Sequence, residues 1–285
     1  MIIVTGANGQ LGSRVVQQLL RRLPPDGIGV SVRDEAAAAG PAAQGVRVRR
    51  GDFTEPATLA HAFEGAERVL VVSAAIRGEG ALAANTAAID AARAAGARRI
   101  VYTSHQAASA DSSFAAQPVH AATQDHLARR GVPFTALRNG FYASSLPFWI
   151  GDAATSGRLV APQDGPVSWT AHDDLAEAAA IALTDDGVLD GVTPPLTAAE
   201  ALDLTDVAGI LAELTGRPVV RVVVEDDEWR AAALGRGMPP QAADFALGMY
   251  RAARKGEFAV TDPTLEAILG RTPTAVRSVL AELLA

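Results

Sequence analysis

Three glycines near the start of the chain have the spacing of a phosphate-binding loop. Gly6, Gly9 and Gly12 follow the β-forming residues 2–5 and precede an apolar stretch with helical periodicity. A loop between a strand and a helix lets backbone N–H groups approach a pyrophosphate, and the helix N-terminus adds partial positive charge. The alternative is a plain strand-to-helix turn. The residues predicted to contact a dinucleotide here are Gly6, Asn8, Gly9, Gln10 and Leu11.

The second predicted strand leads directly to a residue that can bind another phosphate. Arg33 follows the β-forming residues 28–32, and a guanidinium can clamp the ribose 2′-phosphate of NADP(H) through two parallel hydrogen bonds. Asp34 comes next, and an acidic residue that binds the ribose 2′-OH is typical of NAD sites. We predict NADP(H). If Asp34 ends the strand, NAD(H) is the alternative cofactor. A second alternative is that Arg33 is an ordinary solvated charge and binds no phosphate.

Two further strand ends are predicted to line the cofactor site. Asp52 and Phe53 follow the third strand, where the adenine would lie, although Asp52 is equally suited to cap a turn before Pro56. The small residues Ser73, Ala74 and Ala75 end the fourth strand. Small side chains there let the cofactor pass close to the backbone, and a simple strand end explains them as well.

The ends of the fifth and sixth strands carry the candidates for the reacting end of the site. Asn139 can hold a carboxamide or a substrate carbonyl, and Tyr142 can stack on a ring or donate a proton. His105 follows the fifth strand, where the alternative is an ordinary loop histidine. For Phe141 and Tyr142 the alternative interpretation is that they fill a seam between domains. The predicted catalytic residues are Asn139, Tyr142 and His105, and the predicted cofactor contacts at this end are Asn139, Gly140, Phe141 and Tyr142.

The elements that must position these residues alternate between short β-branched runs and alanine-rich amphipathic stretches, which predicts a parallel sheet. Right-handed crossovers place the strands in the order 3-2-1-4-5-6, with the ligand crevice between strands one and four. The predicted strands are 2–5, 27–33, 46–50, 68–72, 98–103 and 133–137, and the predicted helices are 11–23, 56–63, 81–95 and 119–130.

The alternation weakens after about residue 142. The fold class predicted is α/β, a doubly wound Rossmann sheet (1–145) with a smaller, irregular α/β substrate region (146–285) packed on it. In an alternative interpretation, part of the second region rejoins the Rossmann sheet. Its predicted elements are helices 173–183, 204–214, 228–234, 241–253 and 274–284, and a strand at 219–224.

Charge and composition exclude several classes of protein. A net charge of −7 at pH 7 argues against a nucleic-acid-binding surface. No apolar run approaches the ~18 residues needed to cross a membrane, and the N-terminus does not resemble a signal peptide, so a cytoplasmic protein is expected. With no cysteine and with His120 and His126 six positions apart, we predict no metal site. The expected partner is a small molecule, and a homodimer is left open.

The chain lacks a pair of residues that many Rossmann oxidoreductases use. In those enzymes a tyrosine transfers a proton, and a lysine four positions later lowers its pKa. Here Lys255 is the only lysine in the sequence, and the positions four after Tyr102, Tyr142 and Tyr250 are occupied by other residues. A Tyr-Lys mechanism is therefore excluded.

The motifs together resemble the atypical, NmrA-like short-chain dehydrogenases, and among them the bacterial NADPH:quinone oxidoreductase 2 group. The resemblance spans almost the whole chain, and the segment around Asn139 is its most specific part. The matching segments are 5–12, 32–33, 44–46, 51–53, 95–96, 102–104, His120-x-x-Thr123, 137–142 and 270–274.

This resemblance implies hydride transfer from NADPH directly to a quinone or related small carbonyl acceptor, with Arg33 on the 2′-phosphate. It also offers an alternative, a non-catalytic NADP(H)-sensing regulator. The chain departs from its relatives at Gln124-Asp125, where they carry an acidic residue and a lysine.

Overall fold

A parallel sheet with helices on both faces forms the centre of the fold. The computed structural model describes residues 1–76 and 80–285. In this part of the chain the strands are β1 (Ile2–Thr5), β2 (Ile28–Val32), β3 (Arg47–Arg50), β4 (Arg68–Val71), β5 (Arg99–His105), β6 (Phe134–Asn139), β7 (Phe141–Tyr142), β8 (Arg158–Pro162), β9 (Trp169–Thr170), β10 (Gly191–Val192) and β11 (Val220–Val224).

Seven of these strands pair in the order β3-β2-β1-β4-β5-β6-β10, and every pairing is parallel. The predicted order of the first six strands and the Rossmann fold class are confirmed. β10, a two-residue strand that the sequence analysis did not predict, extends the sheet beyond β6. The residues of β1 and β2 are all buried, as expected for strands covered by helices on both faces.

The helices range from the single turns of α3 and α7 to the 15 residues of α4 and α11, and four 3₁₀ turns (25–27, 36–38, 56–58 and 143–145) accompany them in the described part of the chain. The described helices are α1 (Gln10–Leu20), α2 (Ala39–Ala43), α3 (Leu59–Ala62), α4 (Gly80–Ala94), α5 (Ala116–Ala128), α6 (Leu146–Ile150), α7 (Ala153–Ser156), α8 (His172–Thr184), α9 (Leu204–Thr215), α10 (Asp226–Gly235), α11 (Pro240–Arg254), α12 (Thr264–Leu269) and α13 (Val276–Leu284).

The predicted end of the first helix, at residue 23, was wrong by three residues. α1 ends at Leu20, because the N–H groups of Arg22 and Leu23 both bond to the carbonyl oxygen of Leu19, at 2.9 and 2.8 Å. Such shared acceptors close the last turn of a helix. The predicted helix 56–63 is a 3₁₀ turn followed by the single turn of α3.

Apolar helix faces cover both sides of the sheet. On one side α1 packs against α8, and both contribute to the same core through residues such as Leu19 and Leu175. On the other side α3, α4 and α5 cover the sheet through Leu59, Ile89 and Leu127. α8 and β10 both lie after residue 145 and belong to these layers. The division of the chain at residue 145 stays a prediction.

A second core lies beside the carboxyl end of β6. It is rich in aromatic side chains, and two short parallel ribbons, β8–β11 and β7–β9, lie next to it. Trp149 and Trp169 pack edge to face within this core, with ring centres 5.1 Å apart. Within residues 1–76 and 80–285, no helix combines the length and apolar character required to span a bilayer.

Candidate functional site

The carboxyl ends of β1, β2, β3 and β4 surround a crevice of about 460 Å³. It lies where the strand order reverses, between β1 and β4, which is the usual ligand position in an open α/β sheet. The residues that line it are Gly6, Asn8, Gly9, Ser31, Val32, Arg33, Asp34, Gly51, Asp52, Phe53, Thr54, Val72, Ser73, Ala74, Ala75 and Ile76.

Nine of these residues were among the predicted cofactor contacts, and Asp34 was weighed as the NAD alternative. Sequence reasoning missed Ser31, Val32, Gly51, Thr54, Val72 and Ile76. Each of them is within two positions of a predicted contact in the sequence, so adding the two residues on either side of every predicted contact would have included them.

The glycine loop presents a helix N-terminus to the crevice. Gly6 has a φ of +61°, which favours glycine, and its carbonyl oxygen accepts the N–H of Gly9 at 2.9 Å. A Cβ on Gly12 would overlap the backbone of Gly6, so glycine is required there for α1 to pack against the loop. Gly9 caps α1 without a side-chain hydrogen bond. The first N–H groups of α1 are therefore available to an anion.

Gln10 and Leu11 were predicted to contact the cofactor, but neither is among the residues that line the crevice. Both lie in the first turn of α1. The Leu11 side chain is buried in the core beneath the sheet, and the Gln10 side chain is exposed. Their predicted contribution to the cofactor therefore falls to their backbone N–H groups.

Arg33 and Asp34 both lie at the rim of the crevice, but only Asp34 has hydrogen-bond partners within the described part of the protein. The Asp34 carboxylate accepts the backbone N–H of Ala36 at 3.0 Å, and the Asp34 carbonyl accepts the Asn8 side-chain amide at 3.1 Å. Asp34 is thus engaged in its own turn. Arg33 is exposed and forms no ion pair or hydrogen bond with any residue in the described part of the chain. Its guanidinium is free to bind a phosphate.

Asp52 also serves a local turn. Its carboxylate accepts the backbone N–H and the hydroxyl of Thr54, at 2.8 and 2.7 Å. These hydrogen bonds, helped by the positive charges of Arg33 and Arg50, lower the pKa of Asp52. Asp52 is therefore an anion near Arg33 that shapes the loop, while Phe53 beside it is part-buried at the crevice wall.

The segment after β4 is held in place by side chains from three neighbouring elements. The N–H groups of Val72, Ser73 and Ala74 bond to the side-chain oxygens of Thr5, Thr103 and Asn85, at 2.9, 2.8 and 2.8 Å. This segment therefore forms a fixed wall of small residues beside the glycine loop.

The carboxyl ends of β5 and β6 bring the predicted reacting residues next to each other. His105 and Asn139 are register partners in the sheet. The Asn139 side chain is 1% exposed, and its amide nitrogen donates to the Tyr142 hydroxyl at 3.4 Å. Its Oδ1 atom has no hydrogen-bond partner among the described residues. A buried carbonyl oxygen without a partner is suited to receive an N–H group of a bound molecule.

Tyr142 and His105 are both neutral in this environment. Burial raises the pKa of the Tyr142 hydroxyl, and the Tyr142 ring packs on His172 with centres 4.4 Å apart. Burial lowers the pKa of His105 well below its ordinary value, and the positive charges that His120 and Arg138 can carry add to this effect. Tyr142 and His105 therefore offer uncharged hydrogen-bonding groups at the ends of β5 and β6.

Gly140 and Phe141 have packing roles in the structure. Gly140 lies between β6 and β7, and a Cβ on it would overlap the side chain of Thr170 in β9. The close approach of this segment to β9 therefore requires glycine. Phe141 is 6% exposed and contacts Phe258 and Trp169 in the aromatic core, with ring centres 4.9 and 5.4 Å apart. Contact of either residue with a cofactor stays a prediction.

The departure at positions 124 and 125 lies largely outside the crevice. Gln124 donates a hydrogen bond to the Ser104 hydroxyl near the end of β5. Asp125 is exposed and lies in an external groove between α4 and α5. A lysine at position 125 would begin on that external face, so its absence leaves the crevice wall intact.

Comparison with known proteins agrees with this geometry. A family model described as NAD(P)H-binding matches residues 6–186, which include the glycine loop, Arg33 and the ends of β4, β5 and β6. The chain belongs to this NAD(P)H-binding family. The prediction of a nicotinamide dinucleotide site is thereby confirmed at the level of the family.

Two relatives, one of them with a solved structure, resemble the chain over nearly its full length. It is 32% identical to quinone oxidoreductase 2 of Escherichia coli (strain K12), covering 99% of this chain and 98% of that protein. It is 32% identical to an NAD(P)H azoreductase of Xenophilus azovorans, covering 95% and 93%. The crystal structure of the Escherichia coli NADPH-dependent quinone oxidoreductase with NADPH superposes with a TM-score of 0.94, at 31% identity over 100% of both chains. The resemblance inferred from the motifs is confirmed.

Proposed function

We propose that the protein is an NADPH-dependent oxidoreductase that reduces quinones or related small carbonyl acceptors. The observation that carries this proposal is the crevice at the strand reversal, into which face the open N-terminus of α1 and Arg33, which is unpaired among the described residues. The neutral hydrogen-bonding groups at the ends of β5 and β6 do not line this crevice, and their contact with the nicotinamide is part of the proposal. Of the relatives named above, the quinone reductase supports a quinone acceptor, and the azoreductase supports an NAD(P)H-dependent reductase.

The preference for NADPH is supported by the different states of Arg33 and Asp34. Asp34 already accepts a backbone hydrogen bond, whereas Arg33 faces the crevice without a partner in the described part of the chain. A 2′-phosphate gives Arg33 a partner, and the 2′-OH of NADH does not carry the matching charge. NADPH is therefore the expected cofactor, with its pyrophosphate at the first turn of α1.

When bound, NADPH supplies a hydride to the acceptor. Asn139 is proposed to accept the carboxamide N–H through Oδ1, which orients the nicotinamide ring. Tyr142 holds the other side of the Asn139 amide and keeps its proton because of its raised pKa. His105 is the register partner of Asn139 and provides a neutral imidazole on the neighbouring strand. Since a quinone is already electrophilic, positioning supplies most of the rate acceleration, and no Tyr-Lys pair is needed.

The experiment that tests this function follows NADPH oxidation at 340 nm with a panel of benzoquinones and naphthoquinones. We expect oxidation of NADPH that requires both the protein and the quinone, and slower oxidation of NADH. Binding of NADPH without oxidation by any acceptor would refute the enzyme hypothesis.

That outcome would favour the second candidate, a regulator that senses NADP(H) without catalysis. The observation that favours this alternative is the absence of a Tyr-Lys pair, since Lys255 is the only lysine of the sequence. A cytoplasmic location and a homodimer remain predictions under both functions.

A further inference from the structure

A chain of hydrogen bonds leads from the wall of the crevice to a histidine on α5. The N–H of Ala74 bonds to Oδ1 of Asn85 at 2.8 Å. Nδ2 of Asn85 donates to the Tyr102 hydroxyl at 3.3 Å, and this hydroxyl contacts Nδ1 of His120 at 2.9 Å. Ala74 lines the crevice, so His120 is connected to the cofactor site through two buried side chains.

The direction of this chain determines which nitrogen of His120 carries the proton. A backbone N–H can only donate, so Asn85 must turn its oxygen to Ala74 and its nitrogen to Tyr102. Burial, opposed by a weaker hydrogen bond with Thr123, raises the pKa of Tyr102, so the hydroxyl keeps its proton. The Tyr102 oxygen accepts from Asn85, and we take the Tyr102 hydroxyl as the donor to Nδ1 of His120. The proton of neutral His120 is then on Nε2.

His120 is neutral at physiological pH, and its Nε2 atom is available. Burial lowers the pKa of His120 to about 4. Its side chain is only part-buried, and Nε2 has no hydrogen-bond partner within the described ranges. An N–H group fixed by its neighbours and left without an acceptor is a preorganised donor.

Aromatic rings and a buried amide lie near His120. The His105 ring lies 6.0 Å from that of His120 and meets Phe141 and Phe258 edge to face, with centres 5.5 and 5.7 Å apart. Gln117 precedes His120 by three positions on α5 and so shares its helix face. The Gln117 side chain is fully buried, and neither atom of its amide has a partner among the described residues.

We propose that His120 is a catalytic residue that donates a hydrogen bond from Nε2 to the carbonyl oxygen of the acceptor, and that Tyr102 and Asn85 are positioning residues that fix its tautomer. This inference rests on the proposed function. The acceptor gains two electrons and one hydrogen as the C4–H bond of NADPH breaks and NADP⁺ forms. The quinol anion then takes a proton from water. His120 keeps its own proton throughout and stabilises the negative oxygen.

The kinetic test replaces His120 by leucine and by glutamine. We expect His120→Leu to lower kcat for quinone reduction about 100-fold, as for loss of one oxyanion donor, with an NADPH Kd within about twofold of wild type. His120→Gln keeps an N–H donor and should recover part of the rate. His126→Ala, on the outer face of the same helix against Asp90, is the matched control and should leave kcat unchanged. A kcat for His120→Leu within about threefold of wild type would overturn the proposal.

A second measurement does not depend on turnover. In ¹⁵N-histidine NMR spectra of the protein with NADP⁺, we expect the Nε2–H tautomer for His120 and a mixture of tautomers in Tyr102→Phe. Menadione, which NADP⁺ cannot reduce, should shift the His120 Nε2 signal. An Nδ1–H tautomer, or a signal that menadione leaves unmoved, would overturn the role of His120. Failure of wild-type protein to oxidise NADPH would instead refute the proposed function.

Discussion

Replacing Arg33 by alanine tests how the protein distinguishes NADPH from NADH. Arg33 is an exposed residue at the crevice rim and forms no salt bridge with the residues described here, although its charge helps to lower the pKa of the nearby Asp52. Its loss therefore leaves no buried charge behind and breaks no internal ion pair. The variant should fold like wild type, so a change in affinity reports on the cofactor contact alone.

The size of the effect follows from the chemistry of that contact. A hydrogen bond to a charged group contributes about 1.5–3 kcal/mol, and exposure to solvent keeps the total for an Arg–phosphate pair near the range of a single such bond. We expect a loss of about 2–3 kcal/mol, or about a 30- to 150-fold rise in the Kd of NADPH. The Kd of NADH should change by less than about twofold.

The assay is a titration of both dinucleotides at fixed salt, followed by calorimetry or by the fluorescence of the reduced nicotinamide. Arg50→Ala is the matched control, because Arg50 ends the neighbouring strand but is already paired with Glu55 at 2.9 Å. An equal loss for NADPH and NADH, or no loss for either, would refute the assignment of the 2′-phosphate to Arg33.

Three other changes probe the loop, the reacting end and the buried histidines. Gly9→Val should weaken NADPH binding more than 100-fold with little change in Tm, since a Cβ there already lies 3.2 Å from the Gly6 carbonyl and the branched side chain would enter the crevice; retained binding in the same titration would contradict the loop's role. Asn139→Ala should lower kcat about tenfold in the NADPH oxidation assay, because the nicotinamide would lose its orienting acceptor, and an unchanged kcat would remove Asn139 from the mechanism. Burial lowers the pKa of His172 to about 4 from an ordinary 6.5, so the unfolded chain binds more protons between these values and stability falls as pH drops from 6.5 to 4, by about 3 kcal/mol for this group. Denaturant unfolding of His172→Gln should show a smaller loss over that range, and an identical pH dependence would be inconsistent with a neutral His172.

The sequence predicted best those parts of the fold that depend on local pattern. The order of the first six strands followed from β-branched runs separated by amphipathic helices, and the glycine loop was correctly placed between β1 and α1. β10 and the β7–β9 ribbon were missed, because each of these strands has two residues and no periodicity to detect. Their formation depends on partners distant in the sequence.

The candidate site divides in the same way. Residues at strand ends were predicted, since the carboxyl ends of parallel strands share one edge of the sheet. The hydrogen bond from the Ala36 N–H to the Asp34 carboxylate was not predicted, because it depends on the conformation of the turn after β2. His120 was noted within a matching segment, His120-x-x-Thr123, and was weighed as a metal ligand by its spacing to His126, but it was not predicted to be catalytic. Its hydrogen bond to Tyr102, 18 positions away on a strand, exists only in the folded chain.

The packing of α8 on α1 bears on when the protein becomes able to bind its cofactor during synthesis. α1 carries the phosphate loop, and its apolar residues, Leu19 among them, share a core with Leu175 of α8. Arg14 of α1 also pairs with Asp173 at 2.9 Å. These contacts join residues about 160 positions apart in the sequence. The apolar face of α1 is therefore covered only after α8 has been synthesised. A nascent chain that ends at residue 145 would expose this apolar face, and ribosomes must deliver α8 before the loop gains its lasting support.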